Sequence, residues 1–265
     1  MDAVIQSTTS IAEHAGNLIL KWYEKGIHSV VYKQDSSPLT QADLASDNYI
    51  RSALSDTGIP VVSEEADCPY SLRKDLDQFW LVDPLDGTKD FIQRNGEFTV
   101  NIALIKDKIP VLGVIHAPAA GLTCFAKKGE GAFYKEGRIT KKLPCFQTPS
   151  TRTATVSRQH LSFATEEFLK MNGIHDMVMK GSSLKFCTVA SGKAMIYPRF
   201  EGSMEWDIAA GHAIASEAGC RITDLVTGKV PGYNKPDLHN NPFIVCSSQI
   251  DIGTLNIPPF QGTIR

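Results

Sequence analysis

One step in this chain constrains it more than any other: Phe79-Trp80-Leu81-Val82 runs directly into Asp83-Pro84-Leu85-Asp86-Gly87-Thr88. Four consecutive apolar residues read as a buried strand, and Pro84 predicts a sharp turn directly after Asp83. The strand therefore delivers Asp83 and Asp86 to its own end, and Gly87 and Thr88 stand where a helix can begin. Carboxylates placed this way can hold a cation, and free N–H groups at a helix start can hold a phosphate. The plainer reading is an ordinary turn, with Asp as turn former and helix cap. What separates the two readings is whether the rest of the chain brings further acids to the same place.

Val61-Val62-Ser63 reads as a second short strand, and it ends in Glu64 and Glu65. If this strand neighbours the first in one sheet, Glu64, Asp83 and Asp86 meet. Thr40 and Asp43 stand in capping-box spacing at the head of a helix carrying Leu44, Tyr49, Ile50 and Leu54, which should stop at Gly58-Ile59-Pro60. Asp43 thus has a structural role of its own, and a chemical one requires a partner from elsewhere. Asp207 occupies the N-cap position of a small-residue helix over 208–218, which closes at Gly219.

Around these points the chain alternates regular elements. Ile5, Thr8, Ile11, Ala12, Ala15, Leu18, Ile19 and Trp22 recur at helical spacing and predict a first amphipathic helix ending near Gly26. A short strand is expected over 29–32. After a helical turn through Phe91 and a break at Asn95-Gly96, Phe98, Val100, Ile102 and Leu104 alternate as a half-buried strand. Strands over 109–115 and 122–126, and a glycine-punctuated pair after them, complete an antiparallel meander. The polar run 148–153 marks the expected boundary between subdomains 1–150 and 151–265. Beyond it, strands over 154–157, 176–179, 194–197, 220–223 and 243–246 alternate with helices over 162–171, 182–191 and 208–218. That rhythm implies a mixed sheet covered by helices, and an α/β (α+β) fold class for the chain. The segment from Ile257, with Pro258-Pro259, reads as a loose tail.

The 265 residues carry a formal charge of −2, which disfavours a nucleic-acid coat or a polybasic membrane binder. Any anion must then be attracted by a local site. No apolar run is long enough to span a bilayer, and the N-terminal residues Asp2, Glu13 and His14 do not suit a secretory signal. Cys68, Cys124, Cys145, Cys187, Cys220 and Cys246 show no C-x-x-C spacing and read as reduced thiols. The expected location is the cytoplasm, with peripheral association at the inner membrane face left open, as is the choice between monomer and homodimer.

Three segments now acquire a shared meaning. Ser63-Glu64-Glu65, Asp83-Pro84-Leu85-Asp86-Gly87-Thr88 and Trp206-Asp207-Ile208-Ala209-Ala210-Gly211 resemble the three signatures of the inositol monophosphatase superfamily. Its members are magnesium-dependent, lithium-sensitive phosphomonoesterases, and the resemblance implies a layered αβαβα sandwich. Gly87-Thr88-Lys89-Asp90-Phe91, the run from Arg94 to Leu104, Gly181-Ser182-Ser183-Leu184-Lys185-Phe186-Cys187 and Tyr197-Pro198-Arg199-Phe200 resemble the CysQ-type 3′(2′),5′-bisphosphate nucleotidases within it. Asp90 departs from that type, where Glu is commoner.

The resemblance implies a division of roles. Glu64, Asp83 and the carbonyl of Leu85 would hold one Mg²⁺, and Asp83, Asp86 and Asp207 another, two or three ions in all. Thr88, activated by Asp43, would position and deprotonate the attacking water, and the amides of Gly87 and Thr88 would bind the scissile phosphate. Glu64, Leu85, Asp86, Gly87, Thr88 and Asp207 would therefore also face the substrate. Lys185 is the first candidate for the second phosphate, with Arg199 and Arg158 behind it, although a helical lysine is more often solvated. His160 and His212 read as satisfied structural residues. Elementary electrostatics agrees with a metal: like charges ~4 Å apart cost about 4 kcal/mol at an effective dielectric near 20. All-oxygen ligands suit Mg²⁺.

The expected substrate is adenosine 3′,5′-bisphosphate (PAP), with its 5′-phosphosulfate analogue (PAPS) as a second. An inositol or sugar monophosphatase is the alternative, and a non-catalytic nucleotide-phosphate sensor is a further one that the intact set of acids argues against. A P-loop nucleotidase is disfavoured because no G-x-x-x-x-G-K-[ST] is present.

Overall fold

A computed structural model describes residues 2–25, 31–32, 38–158 and 161–260. His160, the residues 33–37 and the first half of the strand expected over 29–32 lie outside the described residues. The elements in chain order are α1 (Ala3–Lys25), β1 (Val31–Tyr32), β2 (Pro38–Leu39), α2 (Gln41–Ser55), β3 (Val61–Ser63), α3 (Tyr70–Arg73), β4 (Gln78–Asp86), α4 (Thr88–Ile92), β5 (Thr99–Lys106), β6 (Ile109–Ala117), β7 (Leu122–Lys127), β8 (Gly131–Glu136) and β9 (Ile139–Lys142). There follow β10 (Thr153–Ser157), α5 (Phe163–Met171), β11 (Asp176–Lys180), α6 (Leu184–Ala190), β12 (Ile196–Arg199), α7 (Glu205–Glu217), β13 (Arg221–Asp224) and β14 (Phe243–Cys246).

Strand alternation sorts side chains into layers, because successive residues point to opposite faces. β3 to β9 form one seven-stranded sheet in sequence order, antiparallel throughout except for the parallel β3–β4 pair. Trp80, Val82, Val100, Ile102, Leu112 and Val114 turn to one face, where Ile5, Ala12, Ala15 and Ile19 of α1 and Ile50 and Leu54 of α2 cover them. Phe79, Leu81, Ala103, Ile105 and Ile115 turn to the other, against Phe186 of α6 and Ala209, Ala210 and Ile214 of α7. The same two helices also cover Tyr197, Ile222, Phe243 and Val245 of a second sheet, ordered β11-β10-β12-β14-β13. This sheet is mixed: β10 runs parallel to β11 and β12, while β14 is antiparallel to β12 and β13. Its far face packs Val156, Ile196 and Ile244 on Phe168 and Leu169 of α5. The result is the layered αβαβα sandwich that the sequence implied.

α7 carries Ala209, Ala210, Gly211, Ala213 and Ala215 where it lies between two sheets. A Cβ added at Gly113 of β6 would stand 2.4 Å from the carbonyl oxygen of Ala210, so the helix touches the strand backbone there. This contact holds α7 against β6 one turn beyond Asp207.

Three expectations need correction. Pro84 does not end the strand: β4 runs on to Asp86, and the pairing with β5 shifts register between Asp83 and Asp86. A bulge absorbs the one extra residue of β4, and such irregularities re-aim side chains at strand ends. The helix bearing Asp207 starts at Glu205, with Met204 as N-cap, so Asp207 is the third helical residue and not the cap. The described part of the segment from Ile257, residues 257–260, is not loose: Asn172 and Asn256 exchange bonds of 2.8 Å just before it, and Ile257 and Phe260 pack on the cluster around α5.

Candidate active site

β3 and β4 are parallel neighbours, with Ser63 opposite Val82, and the Glu64 N–H donates to the Val82 carbonyl at 3.1 Å. This places Glu64 beside Asp83, as the sequence anticipated. Across the sheet, Asn101 faces Asp83 and Thr99 faces Asp86. α7 brings Asp207 from the other side. Carboxylate oxygens of Asp83, Asp86 and Asp207 all lie within 4.8 Å of one another. Glu64 is outside that triplet, but it contributes the largest of the charges acting on Asp83.

Each member of the triplet commits one oxygen to the protein. Asp83 Oδ1 accepts the Leu85 N–H at 3.1 Å, and Asp207 Oδ2 accepts the Met204 N–H at 2.7 Å. Asp86 Oδ2 accepts from the Ser183 N–H and hydroxyl at 2.7 Å each, from the Ser182 hydroxyl at 2.9 Å and from Asn101 Nδ2 at 3.4 Å. No hydrogen bond from the described residues reaches the second oxygen of any of the three. The carboxylates are thus oriented, close and unneutralised. Burial, and then the charges of Glu64, Asp86, Asp207 and Glu65, push the Asp83 carboxyl far above the usual carboxylate range. Burial, and then Asp86, push Asp207 up to about 8 against the bond from Met204. Oriented free oxygens in a cluster that resists ionisation are what a divalent cation relieves, and an all-carboxylate donor set fits a hard ion.

Beside the triplet, Thr88 Oγ1 lies 3.1 Å from Asp43 Oδ1 and 3.3 Å from the Leu85 carbonyl oxygen. Asp43 keeps its cap as well, since its Oδ2 accepts the Thr40 N–H at 2.8 Å and the Thr40 hydroxyl at 2.5 Å. One oxygen closes the helix and the other faces Thr88, so the structural and chemical readings use different atoms. Burial raises the proton affinity of Asp43 against the bonds from Thr40 and Thr88. Gly87, between Asp86 and Thr88, has φ of +86°, a conformation that favours glycine.

These groups open into a cleft of about 560 Å³, within the usual ligand-pocket range of about 300–1,000 Å³. Glu64, Asp86, Thr88 and Asp207 line it and make up its floor, and Lys185, Tyr197 and Arg199 line it as a second group, its wall. Lys185 is not solvated. It is 4% exposed, donates to the Ser182 carbonyl at 2.7 Å and to the Lys180 carbonyl at 3.4 Å, and lies 5.6 Å from the Tyr197 ring centre. Burial, and then the Arg199 charge, lower it to about 8, while Asp86 opposes the shift. Arg199 donates to Ser157 Oγ at 3.3 Å and to the Gly202 carbonyl at 3.0 Å. Arg158 is held differently, in a two-pronged bond to Glu97 at 2.7 and 2.8 Å. His212 is buried against the Tyr233 hydroxyl at 2.9 Å, away from the cleft lining.

Sequence reasoning passed over Asn101, Ser182 and Ser183 as individual residues, yet they fix Asp86. Asn101 had a signal: on β5 it lies two positions from Thr99, and a strand paired with β4 must present both to the aspartates. Ser182 and Ser183 had only the resemblance of the 181–187 run, which does not say what they touch, because they arrive from a turn nearly a hundred residues away.

Comparison with known proteins agrees with this geometry. The sequence profile of the inositol monophosphatase family matches residues 1–257. The 3′(2′),5′-bisphosphate nucleotidase CysQ of Salmonella typhimurium is 42% identical over 243 residues, covering 90% of this chain and 97% of that one. The enzyme of the same name from Escherichia coli K12 is 40% identical over 242 residues, with the same coverage. The crystal structure of CysQ from Bacteroides thetaiotaomicron superposes with a TM-score of 0.84 at 40% identity, covering 93% of this chain and 97% of that one. An inositol monophosphatase structure from Thermotoga maritima, 23% identical with a TM-score of 0.74 and coverage of 91% of each chain, shares the fold.

Proposed function

The chain belongs to the inositol monophosphatase family, and from that premise we propose that it acts there as a CysQ-type 3′(2′),5′-bisphosphate nucleotidase. It hydrolyses the 3′-phosphate of PAP to give AMP and phosphate, and converts PAPS to APS in the same way. The observation that carries this reading is a single cleft lined by Asp86 and Asp207, on which the buried Asp83 converges, and by a buried lysine. A monophosphate substrate needs only the floor.

In this proposal Glu64, Asp83 and the Leu85 carbonyl would hold one Mg²⁺, and Asp83, Asp86 and Asp207 would hold another, with two or three ions in the working enzyme. When bound, the metal neutralises phosphate charge and lowers the pKa of water. The chain supplies the remaining steps. Thr88 Oγ1 orients the incoming water and takes its proton while passing its own to Asp43 Oδ1, for which burial has raised the proton affinity of Asp43. Water oxygen bonds to phosphorus, the bond from phosphorus to the 3′-oxygen breaks, and that oxygen leaves in line, collecting a proton from solvent. The Gly87 and Thr88 amides hold the transferred group, and Lys185 binds the other phosphate. Residues 1–150 and 151–265 then act as two subdomains that meet at the cleft.

No helix among the described residues is long and apolar enough to cross a membrane. Cytoplasmic placement is part of the proposal, supported by six free cysteines. Phosphate release from PAP and from inositol 1-phosphate, with Mg²⁺ and then with added Li⁺, tests the reading. PAP should be preferred and Li⁺ should inhibit; a preference for the inositol substrate would overturn the nucleotidase assignment.

A further inference from the structure

Glu97 has no part in the chemistry above, yet it is among the most heavily bonded side chains in the molecule. We propose that Glu97 is a positioning residue for the metal site: it pins the turn 181–183, and that turn holds Asp86 in the geometry a cation requires. The inference rests on the metal-dependent reading of the site.

The connection can be followed atom by atom. Glu97 Oε2 accepts the Gly181 N–H at 2.8 Å and Arg158 Nε at 2.7 Å. Its Oε1 accepts Lys180 Nζ at 2.9 Å and Arg158 Nη2 at 2.8 Å. Four donors from the ends of β10 and β11 therefore converge on one carboxylate of the link between α4 and β5, so the bonds join the two sheets. That link is itself fixed, since the Glu97 N–H donates to Asn95 Oδ1 at 2.8 Å and the Asn95 amide bonds Asp90.

The turn has no slack against this anchor. A Cβ on Gly181 would lie 2.8 Å from both the Glu97 carbonyl oxygen and Asp90 Oδ2, so only glycine lets the backbones meet. Ser182 follows with φ of +50°, a left-handed conformation unusual for a residue with a side chain, and one that persists where its surroundings over-determine it. From that conformation Ser182 Oγ meets Thr99 Oγ1 at 2.6 Å, and Ser182 and Ser183 send three bonds to Asp86 Oδ2. Ser183 also lies 2.8 Å from the Asp207 carbonyl, so the same turn touches two members of the aspartate triplet. Glu97 touches none of them; it acts through the turn.

A rival role would be to hold Arg158 and Lys180 at the cleft rim for substrate, which would change KM and leave metal binding alone. The full-length protein with Glu97→Ala and Glu97→Gln separates the two, with Mg²⁺ binding followed by calorimetry and kcat and KM measured on PAP. Loss of a residue that orients a metal ligand typically costs about 10–100-fold in metal affinity, and Glu97→Ala should fall in that range. Glu97→Gln, which keeps an acceptor for the Gly181 N–H, should lose less, with KM for the nucleotide nearly unchanged. The Mg²⁺ losses from Glu97→Gln and Ser183→Ala should not add in the double variant, because both act on Asp86 through one turn. Wild-type Mg²⁺ affinity in Glu97→Gln and Glu97→Ala, full additivity with Ser183→Ala, or a loss confined to KM would each overturn the proposal. If Glu97→Ala does not fold, Glu97→Gln and its cycle with Ser183→Ala decide the matter. A wild-type protein that binds Mg²⁺ but ignores PAP would sink the nucleotidase reading and leave this inference standing.

Discussion

At the floor of the cleft, the lining residues Asp86 and Asp207 and the buried Asp83 that converges on them each give one oxygen to a protein donor and leave the other uncommitted. On the wall, Lys185 has already spent donors on the carbonyls of Lys180 and Ser182. The floor stands on strand ends and a helix start, where backbone N–H groups orient the carboxylates. The wall stands on α6, all of whose residues are buried between the two sheets. The floor therefore holds an excess of like charge that a cation relieves, whereas the wall holds a desolvated cation that an anion relieves. Chemistry and substrate choice are separable on this arrangement, since changes on the floor should appear in kcat and changes on the wall in KM.

The comparison can be broken most severely at Asp83. Asp83→Asn should reduce turnover to background while the protein stays folded, because a neutral amide relieves the repulsion among four neighbouring acids. Its metal-free unfolding midpoint should match or exceed that of the wild type, and the increase produced by Mg²⁺ should vanish. Near-normal activity in this variant would refute the metal assignment. Asp43→Asn and Thr88→Val come next, each lowering kcat by about 10²–10⁴-fold. Combining them should cost little more than the worse single change if the two form one proton path; multiplied losses would show that they act independently.

The wall should respond to pH. Lys185 has its ammonium below about 8 and loses it as the pH rises through that value, so its attraction for a second phosphate is lost in the same direction. KM for the bisphosphate should climb between pH 7 and 9 while kcat moves less; a flat KM would show that Lys185 does not bind substrate. The smallest effect concerns the link between the two regions. Burial disfavours the ionised form of Glu97, but Arg158, Lys180 and the Gly181 N–H outweigh it and hold the carboxyl at about 2 against an ordinary 4.5. With the folded value depressed, this contribution to stability is full above 4.5 and is lost as pH falls through about 2. Acid unfolding of Glu97→Gln, followed by circular dichroism, should lack that component; a profile parallel to the wild type would count against the ion pairs.

The floor was far more legible in the sequence than the wall. Residues 79–82 declared a strand by composition, the acids of β3 and β4 lay at strand ends, and Thr40 and Asp43 matched a capping box that the structure contains. The bulge at Pro84 was hidden because proline signals a turn as readily as a strand irregularity. Asp207 was displaced from cap to third helical residue because Met204, Glu205 and Trp206 give no local start signal. Lys185 looked solvated because a helical lysine usually is. Only the covering of α6 by sheets on both sides buries it, and that is a property of the tertiary layers. The four-residue helix Tyr70–Arg73 escaped notice for a similar reason: it is held by Arg73, which is 3% exposed and donates to Asn234 and to the Lys235 and Pro236 carbonyls far along the chain.

The two-sided cleft is tested most directly by the ratio of kcat/KM for adenosine 3′,5′-bisphosphate to that for adenosine 3′-monophosphate, measured in the wild type and in Lys185→Met. A charge-assisted hydrogen bond of about 1.5–3 kcal/mol corresponds to roughly 10–100-fold in that ratio. The ratio should fall by that factor in the variant, entirely through the bisphosphate, with the monophosphate rate unchanged. An unchanged ratio, or an equal loss on both substrates, would contradict the division of the cleft into a catalytic floor and a selective wall.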